Sequence, residues 1–243
     1  MLHLPLLCLA AFTQSVAVAP VPQDAEWWRQ RHEQKMEVTR KGGYDVAFLG
    51  DSITQGWEGG GKAAWDEFFA PMKAANFGYS GDRTEHVLWR LQKGEMLPAK
   101  PKVVVIMIGT NNVGHGSSNP AQTVEGIRAI LAAIRQGSPK TQVLLLAVFP
   151  RGATADDRLR VQVGEINAGL RGVSEPGVRF LDIGHHFVRS DGTLKDSLMP
   201  DLLHLNPMAT ASGRGRSRAK CGACCERESE VACIMHEPQR RDG

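Results

Sequence analysis

The stretch Val103–Phe149, VVVIMIGTNNVGHGSSNPAQTVEGIRAILAAIRQGSPKTQVLLLAVF, decides the fold class. It opens on the apolar run Val103–Ile108 and closes on a second one, Gln142–Phe149. Neither alternates strictly with polar residues, which is the pattern of strands covered on both faces. Between them, Val124, Ile127, Ile130, Leu131 and Ile134 recur at helical spacing within Ala121–Arg135, predicting a helix with one buried stripe. Gly137-Ser138-Pro139 stops that helix. Strand, helix and strand in this order imply a right-handed crossover between parallel neighbours.

The same alternation extends outward in both directions. Asp45–Leu49 (DVAFL) and Val178–Asp182 (VRFLD) read as strands, with a weaker run at Ala74–Phe77 as a fifth. Helical patterns cover Ala25–Arg40, Lys62–Phe69, Arg83–Lys93 and Ala155–Leu170. The expectation is an α/β fold: a three-layer α/β/α sandwich around a mostly parallel five-stranded sheet, in a single domain over residues 25–207. Neither a linker nor an internal repeat interrupts it. In such folds ligands bind outside the carboxyl ends of the strands, so the residues just after each strand are the ones to inspect.

Four short motifs stand in or near those places. Gly50-Asp51-Ser52 follows the first strand, where a serine at a strand-to-helix turn can present its hydroxyl. The same tripeptide also serves as a plain helix cap. Gly78-Tyr79-Ser80-Gly81-Asp82 offers glycines that permit positive φ and an amide donor, or simply a tight turn. Gly109-Thr110-Asn111-Asn112 brings asparagine side chains that can cap a helix or donate to an oxyanion. Asp201-Leu202-Leu203-His204 lets one short segment supply a base and the carboxylate that orients it. His86, His115, His185 and His186 read instead as packing or surface residues.

Composition narrows the chemistry. A formal charge of +3 on 243 residues, without a basic stripe, excludes a nucleic-acid partner as the leading reading. No apolar run is long enough to span a membrane. All five cysteines (Cys8, Cys221, Cys224, Cys225 and Cys233) lie near the two ends, so the middle has no thiolate nucleophile and no cysteine-bound zinc. The apolar start, with Ala17-Val18-Ala19 at its exit, reads as a secretory leader over residues 1–19. That predicts a secreted or periplasmic protein, and a cytoplasmic one if the leader is not used.

Taken together and in this order, the four motifs resemble those of the GDSL/SGNH hydrolase family over residues 43–207. NFGYSGDRTEHVLWRLQKGE, KVVVIMIGTNN, Phe149-Pro150-Arg151-Gly152 and FLDIGHHFVRSDGTL look similar to the intracellular platelet-activating-factor acetylhydrolases in particular. The resemblance implies a flavodoxin-like sheet and a metal-free, cofactor-free serine esterase acting on short acyl esters. It makes Ser52 the nucleophile, His204 the general base and Asp201 its orienting carboxylate. It assigns the oxyanion hole to the amides of Ser52 and Gly81 and the side chain of Asn111, and leaves Asp51 to organise the turn. The implied partner is a small-molecule or glycan ester, and a homodimer is compatible with it. Two other readings compete: a carbohydrate O-deacetylase, and a non-catalytic binding module on the same scaffold. A flavodoxin-type nucleotide binder is disfavoured, because no P-loop or Gly-x-Gly-x-x-Gly turn follows the first strand.

The chain departs from the family pattern at Met208. Relatives continue from His-Leu-Asn-Pro into a glycine-aromatic pair and an amphipathic helix, whereas residues 208–243 have no aromatic residue and no periodicity. That composition predicts a disordered tail. A reading-frame shift near Pro207 would restore GYRIWAGAIARQVRSLLRE, and the nucleotide sequence tests this directly. The cysteines of the tail, with His236, fit no standard zinc spacing.

Overall fold

A computed structural model describes residues 15–206. The cysteine-rich tail, the proposed frame shift and residues 1–14 of the leader reading lie outside the described residues.

Five parallel strands form one sheet: β1 (Val46–Gly50), β2 (Ala74–Gly78), β3 (Val103–Met107), β4 (Gln142–Leu146) and β5 (Val178–Leu181). Their order is β2-β1-β3-β4-β5, the flavodoxin-like arrangement expected from the alternating runs. The chain steps to one side of β1 for β2 and to the other for β3. The β1/β3 boundary is therefore the switch point, where a crevice opens beyond the strand ends.

The helices are α1 (Glu26–Lys41), α2 (Ser52–Gln55), α3 (Lys62–Ala64), α4 (Thr84–Gln92), α5 (Thr110–Gly114), α6 (Pro120–Gly137) and α7 (Arg158–Leu170). Alternate strand residues serve opposite layers. Ala47, Leu49, Val104, Ile106, Val143 and Leu145 pack with α4, α6 and α7. Val46, Phe48, Val103, Val105 and Leu144 face the segment around Trp65. The stripe read from sequence on α6 is the buried one: Ile127, Ile130, Leu131 and Ile134 are each at most 2% exposed. Each such side chain contributes roughly 1.5–3 kcal/mol by leaving water.

The elements depart from the sequence expectation in three places. The helix expected over Lys62–Phe69 keeps only one turn, α3, before widening into a π segment, Trp65–Phe69. Trp65 and Phe69 both lie edge-on to Phe48, at 5.1 and 4.8 Å between ring centroids, so ring packing onto β1 governs this segment. The run expected to continue β4 to Phe149 leaves the ladder after Leu146. There the side chain of Asn167 on α7 bonds both the N–H and the C=O of Val148, at 2.8 and 2.9 Å. Helix α7 starts at Arg158, later than Ala155, because Asp157 caps it through the Leu159 amide.

The fold also takes in residues before position 25. Val16–Val18 form a 3₁₀ turn, with Ala17 fully buried and its carbonyl accepting from Thr84 Oγ1 at 2.8 Å. Val16–Val18, at the exit of the leader reading, are thus packed against α4 and α6. No helix among the described residues is long and apolar enough to cross a membrane.

Candidate active site

The site begins where β1 runs into α2. Asp51 caps that helix by accepting from the Ile53 amide at 3.0 Å, and Ser52 is its first residue. β2 must pass close beneath: a Cβ on Gly78 would lie 2.3 Å from the Gln55 nitrogen, so only glycine fits. Asp51 is 1% exposed. Burial lifts its carboxyl to about 7, with the Ile53 amide pulling the other way and the Asp82 carboxylate adding to the rise.

This yields a pH prediction. Folded Asp51 holds its proton more readily than unfolded Asp51, so its contribution to stability is complete below the unfolded value of 3.8 and is lost as pH rises toward 7. Asp51→Asn keeps the acceptor for Ile53 and cannot ionise. Its unfolding free energy from urea denaturation should rise relative to the parent between about pH 4 and pH 8, by at most on the order of 4 kcal/mol. A difference that stays constant with pH would contradict the assignment.

The fourth motif arrives from the far end of the chain. Met199, fully buried beside Ile53, Met107, Phe149 and Leu194, anchors the loop. Leu202 then takes a positive φ of 62°, and its carbonyl accepts from the Gly152 amide at 3.0 Å. The loop therefore hangs on the segment after β4 and reaches back over α2. His204 Nε2 comes 2.9 Å from Ser52 Oγ, and His204 Nδ1 lies 2.5 Å from Asp201 Oδ2. Asp201 Oδ1 also accepts from the amides of Leu203 and His204, at 3.0 and 2.7 Å. Burial opposes ionisation of Asp201, but the His204 ring and these amides hold its carboxyl below the usual carboxylate range. With Nδ1–H donated to Asp201, Nε2 is left as the acceptor for the serine proton. The Asp201 and His204 side chains are 53% and 41% exposed, so hydrogen-bond geometry organises this pair more than screened charge attraction does.

The other expected residues gather on the neighbouring strands. Gly81 follows β2 and Asn111 opens α5 after β3, so Ser52, Gly81 and Asn111 sit beyond three adjacent strands. Gly81 has φ +73°, a conformation that suits glycine. Asn111 Nδ2 donates to the Asp82 carbonyl at 2.9 Å, which spends one of its two amide hydrogens and ties the two loops together. Asn112 turns inward to the Thr84 amide, Thr84 Oγ1 and Glu85, each at 3.1 Å. His86 is buried as well: its Nδ1 accepts from the Arg83 amide at 3.1 Å. Burial, with Arg83 and Arg90 close by, pushes His86 down to about 3, so it stays neutral.

Beneath these loops lies a charged core that the sequence did not disclose. Asp82, Arg90 and Glu95 are all fully buried. Arg90 reaches Asp82 Oδ2 at 2.8 Å, bonds Glu95, and stacks its guanidinium 3.8 Å above the Tyr79 ring. Trp28 Nε1 donates to Asp82 Oδ1 at 2.7 Å, while His32 and Tyr79 bond Glu95. Burial raises the Asp82 carboxyl to about 6 against the pull of Arg90, Trp28 and Gln23. The one hint in the sequence was Arg90 standing between Val87 and Leu91 on the buried stripe of α4.

A cleft of about 350 Å³ opens beside Ser52. Ile53, Trp57 and Gly61 form one wall, and Asp201, His204 and Leu205 the other. A roomier cavity near Asn167 and Asp182 contains neither Ser52 nor His204, so the chemistry belongs to the first.

Comparison with known proteins bears on these residues. The GDSL-like Lipase/Acylhydrolase family matches residues 48–209. The chain is 36% identical over 199 residues to human platelet-activating factor acetylhydrolase IB subunit alpha1, covering 79% of this chain and 84% of that one. A GDSL-like lipase from Bacteroides thetaiotaomicron superposes with a TM-score of 0.63 at 17% identity, covering 82% of this chain and 98% of the other. A carbohydrate esterase family 3 enzyme from Talaromyces cellulolyticus superposes with a TM-score of 0.56 at 17% identity, covering 79% and 98%. At such identities the two structures speak for the fold.

Proposed function

This chain belongs to the GDSL-like lipase/acylhydrolase family and is a carboxylic ester hydrolase, and from that premise we propose that it cleaves short acyl esters, acetyl above all, through an acyl-serine. Ser52 is the nucleophile, His204 the general base and then acid, and Asp201 the group that orients His204. The observation that carries this reading is the unbroken hydrogen-bond chain from Ser52 Oγ through His204 to Asp201.

The steps follow from that chain. Ser52 Oγ attacks the acyl carbonyl as its proton passes to His204 Nε2. The tetrahedral oxyanion is held by the Ser52 and Gly81 amides and by Asn111 Nδ2. His204 returns the proton to the departing alcohol, leaving the acyl group on Ser52. Water, activated by the same imidazole, then attacks the acyl-serine, releasing the acid and restoring the hydroxyl. The exposure of His204 gives that water access.

Acetyl is favoured by the relatives named as acetylhydrolases. A second reading concerns the alcohol: Trp57 lines the cleft and is an aromatic side chain of the kind that stacks on sugars, in line with the carbohydrate esterase among the structural neighbours. The pure chain should hydrolyse p-nitrophenyl acetate with a higher kcat/KM than the butyrate, and by at least about tenfold over the octanoate, a few kcal/mol being what a misfit acyl chain costs in a closed pocket. No hydrolysis of any ester would overturn the function, and a preference rising with chain length would overturn the acyl class.

A further inference from the structure

We infer that Gln23, in the segment ahead of α1, is a positioning residue for the oxyanion-stabilising loop, holding the Gly81 peptide at its catalytic angle. The inference rests on the serine-esterase reading above, in which Gly81 donates to the oxyanion.

Gln23 lies outside every motif, almost sixty residues from the loop it touches. Its side-chain amide donates to the Ser80 carbonyl at 3.1 Å and to Asp82 Oδ1 at 2.7 Å, so its two N–H bonds straddle Gly81. The space where a Gly81 Cβ would stand faces this amide, 3.7 Å from both Gln23 Nε2 and Oε1. The rest of the loop is fastened from other sides. The Ser80 amide donates to Gln55 Oε1 at 2.6 Å, and the Asp82 amide donates to the Tyr79 carbonyl at 3.1 Å. The Asp82 carbonyl accepts from Asn111, its carboxylate accepts from Trp28, and Arg90 forms an ion pair with that carboxylate. Gly81 has the widest torsional range of any residue type, so its amide direction depends on these neighbours. Among the described residues, Gln23 is the one side chain bonded on both sides of it.

The segment that carries Gln23 is itself held. The Ala17 carbonyl accepts from Thr84 and the Val21 amide donates to the Glu85 carbonyl at 3.3 Å, placing both anchors on α4, the helix that follows the loop. Preorganised donors stabilise charge that develops only in the transition state, so a misdirected Gly81 amide lowers turnover without weakening ground-state binding.

The test uses the full chain with Gln23→Ala and the similarly sized, uncharged Gln23→Met, which keeps the bulk and loses both donors. Both should lower kcat on p-nitrophenyl acetate about 10- to 100-fold, the scale of a small misplacement, with KM within about twofold of the parent. The rate at which a fluorophosphonate modifies Ser52 should fall in parallel, because its phosphoryl oxygen uses the same hole, while Tm moves little. Unchanged kcat in both variants overturns the inference, as does a loss carried by KM or confined to Tm. Ser52→Ala run alongside separates the two ideas: if it stays active, the serine-esterase reading fails first, and if it alone is inactive, only the role of Gln23 falls.

Discussion

Replacing Ser52 with alanine is expected to lower kcat on p-nitrophenyl acetate by on the order of 10⁴- to 10⁶-fold. Among the described residues the Ser52 hydroxyl is the nucleophile that lies 2.9 Å from His204 Nε2, and alanine leaves nothing at that position to accept the acyl group. His204→Ala should cost nearly as much, because the unassisted hydroxyl is a weak nucleophile at neutral pH. The double variant should be little worse than either single one, since the two side chains act in one proton transfer. The check is kcat measured on all three proteins, each shown to be folded by its thermal transition. Losses that multiply in the double variant would mean the two residues act separately, against the geometry. A Ser52→Ala protein at parental activity would exclude the serine mechanism altogether.

The second large effect separates two adjacent asparagines. Asn111→Ala should reduce kcat about 10²- to 10³-fold, the usual cost of one oxyanion donor, with KM little changed. It also strips the Asp82 carbonyl of a buried partner, so a modest loss of stability accompanies it. Asn112→Ala should do the reverse. Three buried hydrogen bonds, to the Thr84 amide, Thr84 Oγ1 and Glu85, disappear together, for a loss of roughly 2–4 kcal/mol in unfolding free energy. Its kcat well below the melting transition should stay within a few-fold of the parent. Steady-state kinetics and urea unfolding on both variants check the contrast, and equal effects on kcat would remove Asn111 from the proposed hole.

Those asparagines show what a sequence can and cannot disclose. Gly109-Thr110-Asn111-Asn112 was visible as a strand-end motif because β3 is buried on both faces and therefore reads as an unbroken apolar run. The same physics makes β1 and β4 legible, and burial of one face does so for the stripe on α6, whereas β2 and β5 are only partly buried and carry weaker patterns. Only the family resemblance singles out Asn111 within the pair, because nothing local distinguishes a side chain tied to Asp82 from one tied to Thr84.

The features that escaped are the non-local ones. Arg90 looks like a surface charge in a helical pattern and Glu95 like one just past its end, and only Asp82, Tyr79 and His32, brought together by the sheet and α1, explain their burial. Gln23 falls between the leader reading and the domain expected from residue 25, outside every motif. Ala17-Val18-Ala19 has the small residues of a leader exit, but Ala17 in the fold fits under α6, where a Cβ on Gly126 would already lie 2.7 Å from its carbonyl oxygen. Small residues satisfy a protease and a tight helix contact equally well, and the sequence alone cannot separate those demands. The π segment after α3 belongs with them, since ring packing on Phe48 overrides an ordinary helical pattern.

The central claim is that Ser52, activated by His204, carries the acyl group. Mass spectrometry of the chain after treatment with a fluorophosphonate tests it most directly. The expected result is a single adduct per chain, mapped to Ser52, absent from Ser52→Ala and formed far more slowly in His204→Ala. Hydrolysis of p-nitrophenyl acetate by a chain that takes no adduct, or an adduct mapped to another residue, would contradict it.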